Sequence, residues 1–338
     1  MSRLQIATLA VAAAGAIVWF LLGLPLPLLL GPMFACLIAG LLKVPLRGTP
    51  VVSDSMRTVL GLAVGTSITP DLVDRIGSMA ISVAFVVPFV VLIGLAGYPY
   101  FRRICRFDPP TAYFSAMPGG LQDMIIFGQE AGGNLRALAL VHATRVVAIV
   151  SIMPMLLASI WGLELDEIPG EPAGSIPLRD LLLMAVFAVV GWKGGERFGL
   201  FGAPILGPII VSATASLAGV IENRPPAEAI MVAQFFIGIG VGVSYVGVTT
   251  EELRRIVGAA LGYCVLLAVL SVVFAETIYF LGVAPQVEAL LAFAPGGQSE
   301  MVVLAIVAGA DMAYVVTHHL VRMIVVILGA PLVAHWLR

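Results

Sequence analysis

Residues 118–124 read PGGLQDM, and residues 295–301 read PGGQSEM. The two stretches start 177 positions apart, and the same offset carried forward without a gap pairs Ala131-Gly132 with Ala308-Gly309, His142 with His319, Arg145 with Arg322, and Pro154 with Pro331. Nine of the 37 aligned positions are identical. Most are Pro, Gly, His and Arg, and the chain has only 4 histidines, so shared hydrophobicity would not place them in register. Self-similarity at a fixed offset dictates architecture. Upstream the echo persists with small length changes, in Leu30-Gly31-Pro32 against Leu206-Gly207-Pro208 and in Gly61 and Gly65 against Gly238 and Gly242. Residues 1–165 and 177–338 therefore read as two copies of one unit, joined by an acidic connector at 166–176.

The medium in which such a repeat folds follows from composition. Of 338 residues, 60% are hydrophobic and 11% charged, against about 25% charged in soluble domains. That deficit excludes a soluble globular fold. The apolar residues fall in blocks of the roughly 20 residues that a helix needs to cross hydrocarbon. Backbone groups in lipid need partners within the segment, so these blocks are helical. The apolar-polar alternation of a transmembrane β-barrel is absent, and the fold class is all-α. A net charge of -2 and scattered basic residues offer no face for nucleic acid. Cys36, Cys105 and Cys264 lie far apart in or beside apolar segments, suiting small core residues. The run from Leu4 to Leu24 is long for a signal peptide and continues into apolar sequence, so it reads as the first membrane helix.

Each copy shows the same order of segments. The first predicts helices near 4–23, 28–42, 57–69 and 77–98, an interrupted segment at 111–134 and a long helix at 135–161. The second predicts 178–192, 203–220, 228–246, 256–282, 289–310 and 312–336. If the interrupted segment is a re-entrant hairpin, each unit has five transmembrane helices and the halves are inverted repeats; if it crosses, the halves are parallel. Cytoplasmic loops collect Lys and Arg. With re-entrant hairpins and a cytoplasmic N-terminus, 13 of the 18 basic residues lie inside, among them Lys193, Arg197, Arg254 and Arg255. Only Arg75, Arg179 and Arg224 lie outside, beside acidic Glu164, Asp166, Glu167 and Glu171. The charges favour inverted repeats, in a multi-pass protein of the cell (inner) membrane with both termini cytoplasmic.

The hairpins hold the candidate chemistry. Pro118 removes a backbone donor, while Gly119 and Gly120 allow a sharp reversal and close approach. Pro295, Gly296 and Gly297 repeat the arrangement. A half-helix starting near Leu121 would aim unpaired N–H groups at an anion, and opposed tips at mid-depth frame substrate sites in inverted-repeat transporters. Asp123 and Glu300 in the first turns suit either a helix cap or a coupling-ion site, assisted by Gln122 and Ser299. His142 with Arg145, and His319 with Arg322, share a helix face. An arginine in mid-membrane costs about 2.5–3.5 kcal/mol on insertion scales and needs partners. The hairpin carboxylates and a substrate carboxylate both qualify. Because one asymmetric solute cannot use both halves identically, the two arginines are expected to differ in importance. Asn134 and Asp311 extend the polar stripe, and His318 points elsewhere. Gly61, Gly65, Gly238, Gly240 and Gly242 allow close helix approach, expected against the hairpins.

At the PGG hairpins, the Gly-Pro turns and the duplication, the sequence resembles the AbrB membrane protein family over essentially its whole length. Members carry labels that include regulator of an adaptive-response gene and putative ammonia monooxygenase. Monooxygenase chemistry would need copper or iron, and His142, His318, His319 and His335 form no ligand-spaced cluster; no metal, cofactor or enzymatic activity is expected. The five-span-plus-hairpin plan also resembles elevator-type carriers of dicarboxylates. The sequence thus points to a secondary transporter of a small organic solute, an anion being favoured, with a membrane sensor or regulator as the alternative. Proton or sodium coupling and homo-oligomerisation stay open. The expected topology puts the connector from Glu164 to Ser175 outside the cell: cysteines placed there should react with impermeant maleimide in intact cells, and protection of them would overturn the inverted arrangement.

Overall fold

The structure, a computed structural model, describes residues 2–68, 70–163, 171–200 and 202–336, without the side chains at 71–76, 78, 121–123, 126, 298–299 and 330–336. The connector positions 164–170 lie outside the described residues. Among those described, every regular element is helical. The first half runs α1 (Arg3–Leu21), α2 (Pro27–Leu41), α3 (Pro50–Gly65), α4 (Pro70–Ala84), α5 (Val86–Tyr100), α6 (Pro109–Ala116), α7 (Leu121–Glu130) and α8 (Leu135–Trp161). The second runs α9 (Leu178–Arg197), α10 (Ala203–Leu217), α11 (Ala227–Gly242), α12 (Thr250–Glu252), α13 (Gly258–Phe280), α14 (Gln286–Phe293), α15 (Gln298–Val307) and α16 (Met312–Trp336). A π-helical turn extends α5 through Phe101–Cys105, and another, Leu253–Val257, joins α12 to α13. Each interrupted segment is a pair of short helices, of 8 and 10 residues, around its PGG.

Helix ends follow caps rather than hydropathy. The third helix begins at Pro50, seven residues ahead of the expected start, because proline suits the first turn and the Asp54–Arg57 ion pair at 3.0 Å lies on the helix itself. In the second half a capping box at Thr249 and Glu252 opens the helix before Arg254 and Arg255. The helix expected at 77–98 is part of helical backbone from Pro70 to Cys105. It breaks at Phe85, where Pro88 cannot donate to the Ala84 carbonyl. Among the described residues six helices are long and apolar enough to cross a membrane: Arg3–Leu21, Met79–Cys105, Leu135–Trp161, Ala227–Tyr245, Thr250–Phe280 and Met312–Gly329. Pro27–Leu41 and Ala203–Leu217 are shorter and equally apolar.

The chain forms two compact units, and each draws on both halves. The first comprises Met1–Gly77, Pro154–Val246 and Val302–Ala313. Its helices meet through glycines. Gly15 of α1 lies against the Gly31 backbone of α2, and Gly191 of α9 against Gly207 of α10. Gly61 and Gly65 of α3 abut the Ile205 and Ile209 carbonyls of α10, while Gly238 and Gly242 of α11 abut the Leu29 and Met33 carbonyls of α2. The third helix of each half therefore packs on the second helix of the other. This corrects the expectation that these glycines face the hairpins. Van der Waals contact between backbones, rather than burial from water, holds helices together in lipid. Around these crossings pack Ala12, Cys36, Ala39 and Ile239 on one side and Leu62, Met184 and Ala215 on the other.

The second unit comprises Ser78–Met153, Gly247–Met301 and Tyr314–Arg338, and it holds both PGG tips. Phe89 of α5, Phe274 of α13 and Phe293 of α14 form a ring cluster with centroids 5.0 to 5.6 Å apart. Cys36, Cys105 and Cys264 are all buried and free. The glycine crossings carry a stability prediction. Gly65→Leu drives a side chain into the Ile209 carbonyl and should cost about 1–3 kcal/mol. Gly258→Ala, with open space around its Cα, should be neutral or gain about 0.5–1 kcal/mol. Melting of the detergent-solubilised protein compares them, and an unchanged Gly65→Leu would refute the packing argument.

Candidate functional site

Where α6 and α14 stop, their last carbonyls have no intrahelical donor, and Pro118 and Pro295 supply no N–H. The tips are buried, so side chains must take over. Arg145 of α8 donates from Nη1 to the Met117 carbonyl at 3.1 Å and from Nη2 to that of Gly119 at 2.6 Å. Arg322 of α16 donates in the same way to Ala294 at 2.7 Å and Gly296 at 2.9 Å. His142 Nε2 lies 3.0 Å from the Phe114 carbonyl, and His319 Nε2 lies 2.9 Å from that of Leu291. A carbonyl only accepts, so Nε2 carries the proton in both rings. Tyr263 donates its hydroxyl to the Ala116 carbonyl at 2.8 Å, and Ser271 donates to that of Phe293 at 3.0 Å.

The four carbonyls held in one hairpin, at 114, 116, 117 and 119, match those in the other, at 291, 293, 294 and 296, by the same offset of 177. Each histidine-arginine pair is thus a clamp on its own hairpin. The two clamps differ in one detail. Arg322 Nη2 also donates to His319 Nδ1 at 2.9 Å, whereas His142 Nδ1 and Arg145 Nε have no hydrogen-bond partner among the described residues. All four side chains are buried, Arg145 to 2% exposure and Arg322 to 5%. The fork of a guanidinium spans two carbonyls of a reversing chain where a lysine would reach one.

The tip glycines are not used for left-handed backbone. Gly120 has φ -62, and positive φ occurs instead at Gly132 and Gly309, which end α7 and α15. Gly119 and Gly296 make room for Met124 and Met301, whose side chains fold over them. The Glu300 carboxylate curls back against Gly297 ahead of α15, as a first-turn acid does near a positive dipole end. It is buried to 7% exposure and lies within electrostatic range of Arg145. The side chains of Gln122, Asp123 and Ser299 lie outside the described residues, as does that of His335. Asn134 caps α8 through the Ala137 amide at 3.0 Å, and its own amide donates to Thr111 at 2.7 Å, closing the hairpin's base. His318 lies 2.8 Å from the Tyr314 carbonyl through Nδ1 and packs on Phe293. Among the described residues no three His, Cys, Asp or Glu side chains gather as metal ligands.

Tyr263 and Ser271 escaped the sequence reading. Both sit on α13, eight residues apart in an apolar helix, where a single hydroxyl looks like packing. Their counterparts under the offset would be Val86 and Gly94, so duplication gives no hint of them. One helix of the second half thus satisfies a carbonyl in each hairpin. Gly97 of α5 leaves the space that the Tyr263 hydroxyl occupies.

A family model described as "Transition state regulatory protein AbrB" matches residues 28–338. The chain belongs to the AbrB family. It is 24% identical over 351 residues to "Uncharacterized protein YhjN" of Bacillus subtilis (strain 168), covering 96% of this chain and 90% of that one. It is 23% identical over 317 residues to "Putative regulator AbrB" of Escherichia coli (strain K12), covering 93% and 90%. In this AbrB-family chain the clamps predict a graded loss of folding. Tyr263→Phe or Ser271→Ala strands one buried carbonyl, at about 1–3 kcal/mol. Arg145→Ala and Arg322→Ala strand two each and should lose more, with the lysine variants between. Folded yield and melting in detergent measure the order; alanine variants as stable as the parent would show that the arginines do not hold the tips.

Proposed function

We propose that this AbrB-family protein is a secondary transporter of a small organic solute, an anion being favoured, built from two inverted repeats (1–165 and 177–338) of five transmembrane helices and one re-entrant hairpin each. The observation that carries the reading is the pair of buried, side-chain-clamped PGG tips. Irregular backbone at membrane depth is tolerated only against protein or a wet cavity, and two such interruptions at equivalent places in two halves mark binding sites in inverted-repeat carriers. Arms of 8 and 10 residues rise about 12 and 15 Å, half of a hydrocarbon core of about 30 Å. The first-turn N–H groups of each second arm point toward the tip, the helix end that favours negative charge.

The arginines enter this reading chiefly as clamps. Two terminal nitrogens of each already hold hairpin carbonyls, so the solute meets Gly119, Gly120, Gly296, Gly297 and the first-turn side chains Gln122 and Ser299, with the buried positive charge of Arg145 and Arg322 behind them. His142 and His319 orient the clamps. Asp123 and Glu300 are the groups proposed to take a proton or bind sodium. Uptake into proteoliposomes of one orientation tests the reading: transport of small carboxylates should require Glu300 or Asp123 and respond to an imposed proton or sodium gradient. Arg145→Lys should reduce uptake more than Arg322→Lys, because Arg145 Nε has no hydrogen-bond partner among the described residues. No uptake of any anion under either gradient would sink the proposal.

A second reading rests on the regulatory words in the family description and in the name of the Escherichia coli relative. In it the same membrane site senses a solute and affects gene expression indirectly. It predicts ligand-induced stabilisation of the purified protein without uptake, which the same proteoliposomes distinguish.

A further inference from the structure

Away from the tips, a groove of about 320 Å³ opens between α5, α6 and α16. Its walls include Val91, Leu95 and Tyr98 on α5, Tyr113 and Met117 at α6, and Val325 on α16. Almost all of this surface is hydrocarbon. Val91 is 51% exposed and Leu95 68%, on a helix apolar enough to span a membrane, so the open side of the groove faces lipid tails rather than water.

The groove has a charged end. One turn beyond Tyr98 on the same face stands Arg102, with Arg103 beside it, both exposed in the π-helical turn Phe101–Cys105. Arg102 is anchored because its guanidinium donates to the Phe107 carbonyl. Gly94, at the middle of the groove, is eight residues from Arg102, an axial distance of about 12 Å. An apolar slot running into the membrane core from a pair of arginines at the helix end has the polarity of an anionic phospholipid, tail inward and phosphate outward.

We propose that this groove binds one acyl chain of an anionic phospholipid, with its phosphate at Arg102 and Arg103. The inference rests on the membrane setting and not on the transport reading. Its consequence reaches the first hairpin, because the inner wall is Met117, whose carbonyl Arg145 holds. A filled groove supports that carbonyl's residue from the lipid side, and an empty one leaves a void beside it.

The test is native mass spectrometry of the detergent-purified full chain, titrated with phosphatidylglycerol and phosphatidylcholine of the same acyl composition. The parent should retain one phosphatidylglycerol at lower lipid concentration than phosphatidylcholine. Leu95→Trp places a bulky ring in the slot at an exposed position, and it should abolish retention of that lipid while folded yield stays the same. Because Arg102 also holds Phe107, Arg103→Gln is the milder headgroup variant. It should weaken phosphatidylglycerol about fivefold and leave phosphatidylcholine unchanged, the size expected for one arginine near an anionic surface. Equal retention of the two lipids by the parent, or retention that Leu95→Trp leaves intact, would overturn the proposal.

Discussion

A helix that stops inside a protein leaves carbonyl oxygens with nothing to accept from, and in a membrane protein no water arrives to help. The side chains gathered at the two PGG tips answer that constraint. Four carbonyls of each hairpin tip take hydrogen bonds from side chains of α8, α13 and α16. Leaving one of them unmade would cost about 1–3 kcal/mol. The cost of placing an arginine among apolar helices is offset because each guanidinium closes two such carbonyls at once. A histidine one turn earlier closes a third. The reversing backbone is thereby fixed without either tip glycine leaving the ordinary half of backbone space.

The duplication is kept where geometry demands it and abandoned elsewhere. Arginine, histidine, proline and the methionine that folds over the first tip glycine recur at one offset, since each touches backbone whose course is the same in both hairpins. Tyr263 and Ser271 break the pattern by serving both hairpins from one helix. The His319–Arg322 hydrogen bond has no equivalent at His142. These departures are where two copies of one motif become different. In the first unit the repeat is used differently. Glycines of α3 and α11 seat each third helix on a helix from the other half, so neither half can complete that unit alone.

Much of this was legible in the residues. Hydropathy gave helices and a membrane setting, and the PGG repeat gave two interrupted segments, each now seen as a pair of short helices around its PGG. The face-sharing of His142 with Arg145 and of His319 with Arg322 followed from a spacing of three. Helix ends were less legible, because hydropathy records what lipid tolerates whereas caps such as Thr249 and prolines such as Pro50 record where backbone bonding starts. The partners of the arginines were open between a hairpin acid and a solute, and the backbone carbonyls they hold were not among the candidates. A sequence shows side chains and conceals which main-chain groups have been left without bonds.

By itself, then, the sequence determined the helical class, the duplicated order of segments and the residues that would have to be buried with charge. Those properties depend on composition, periodicity and offset, all of which are local or self-referential. Tertiary structure alone decided that the arginines clamp carbonyls, that Tyr263 and Ser271 join them, and that the glycine helices cross between halves instead of lining the hairpins. Each of those is a meeting of groups far apart in the chain, several of them backbone atoms common to every residue type, and no pattern of side chains encodes which of them will lack a partner until the chain has folded around them.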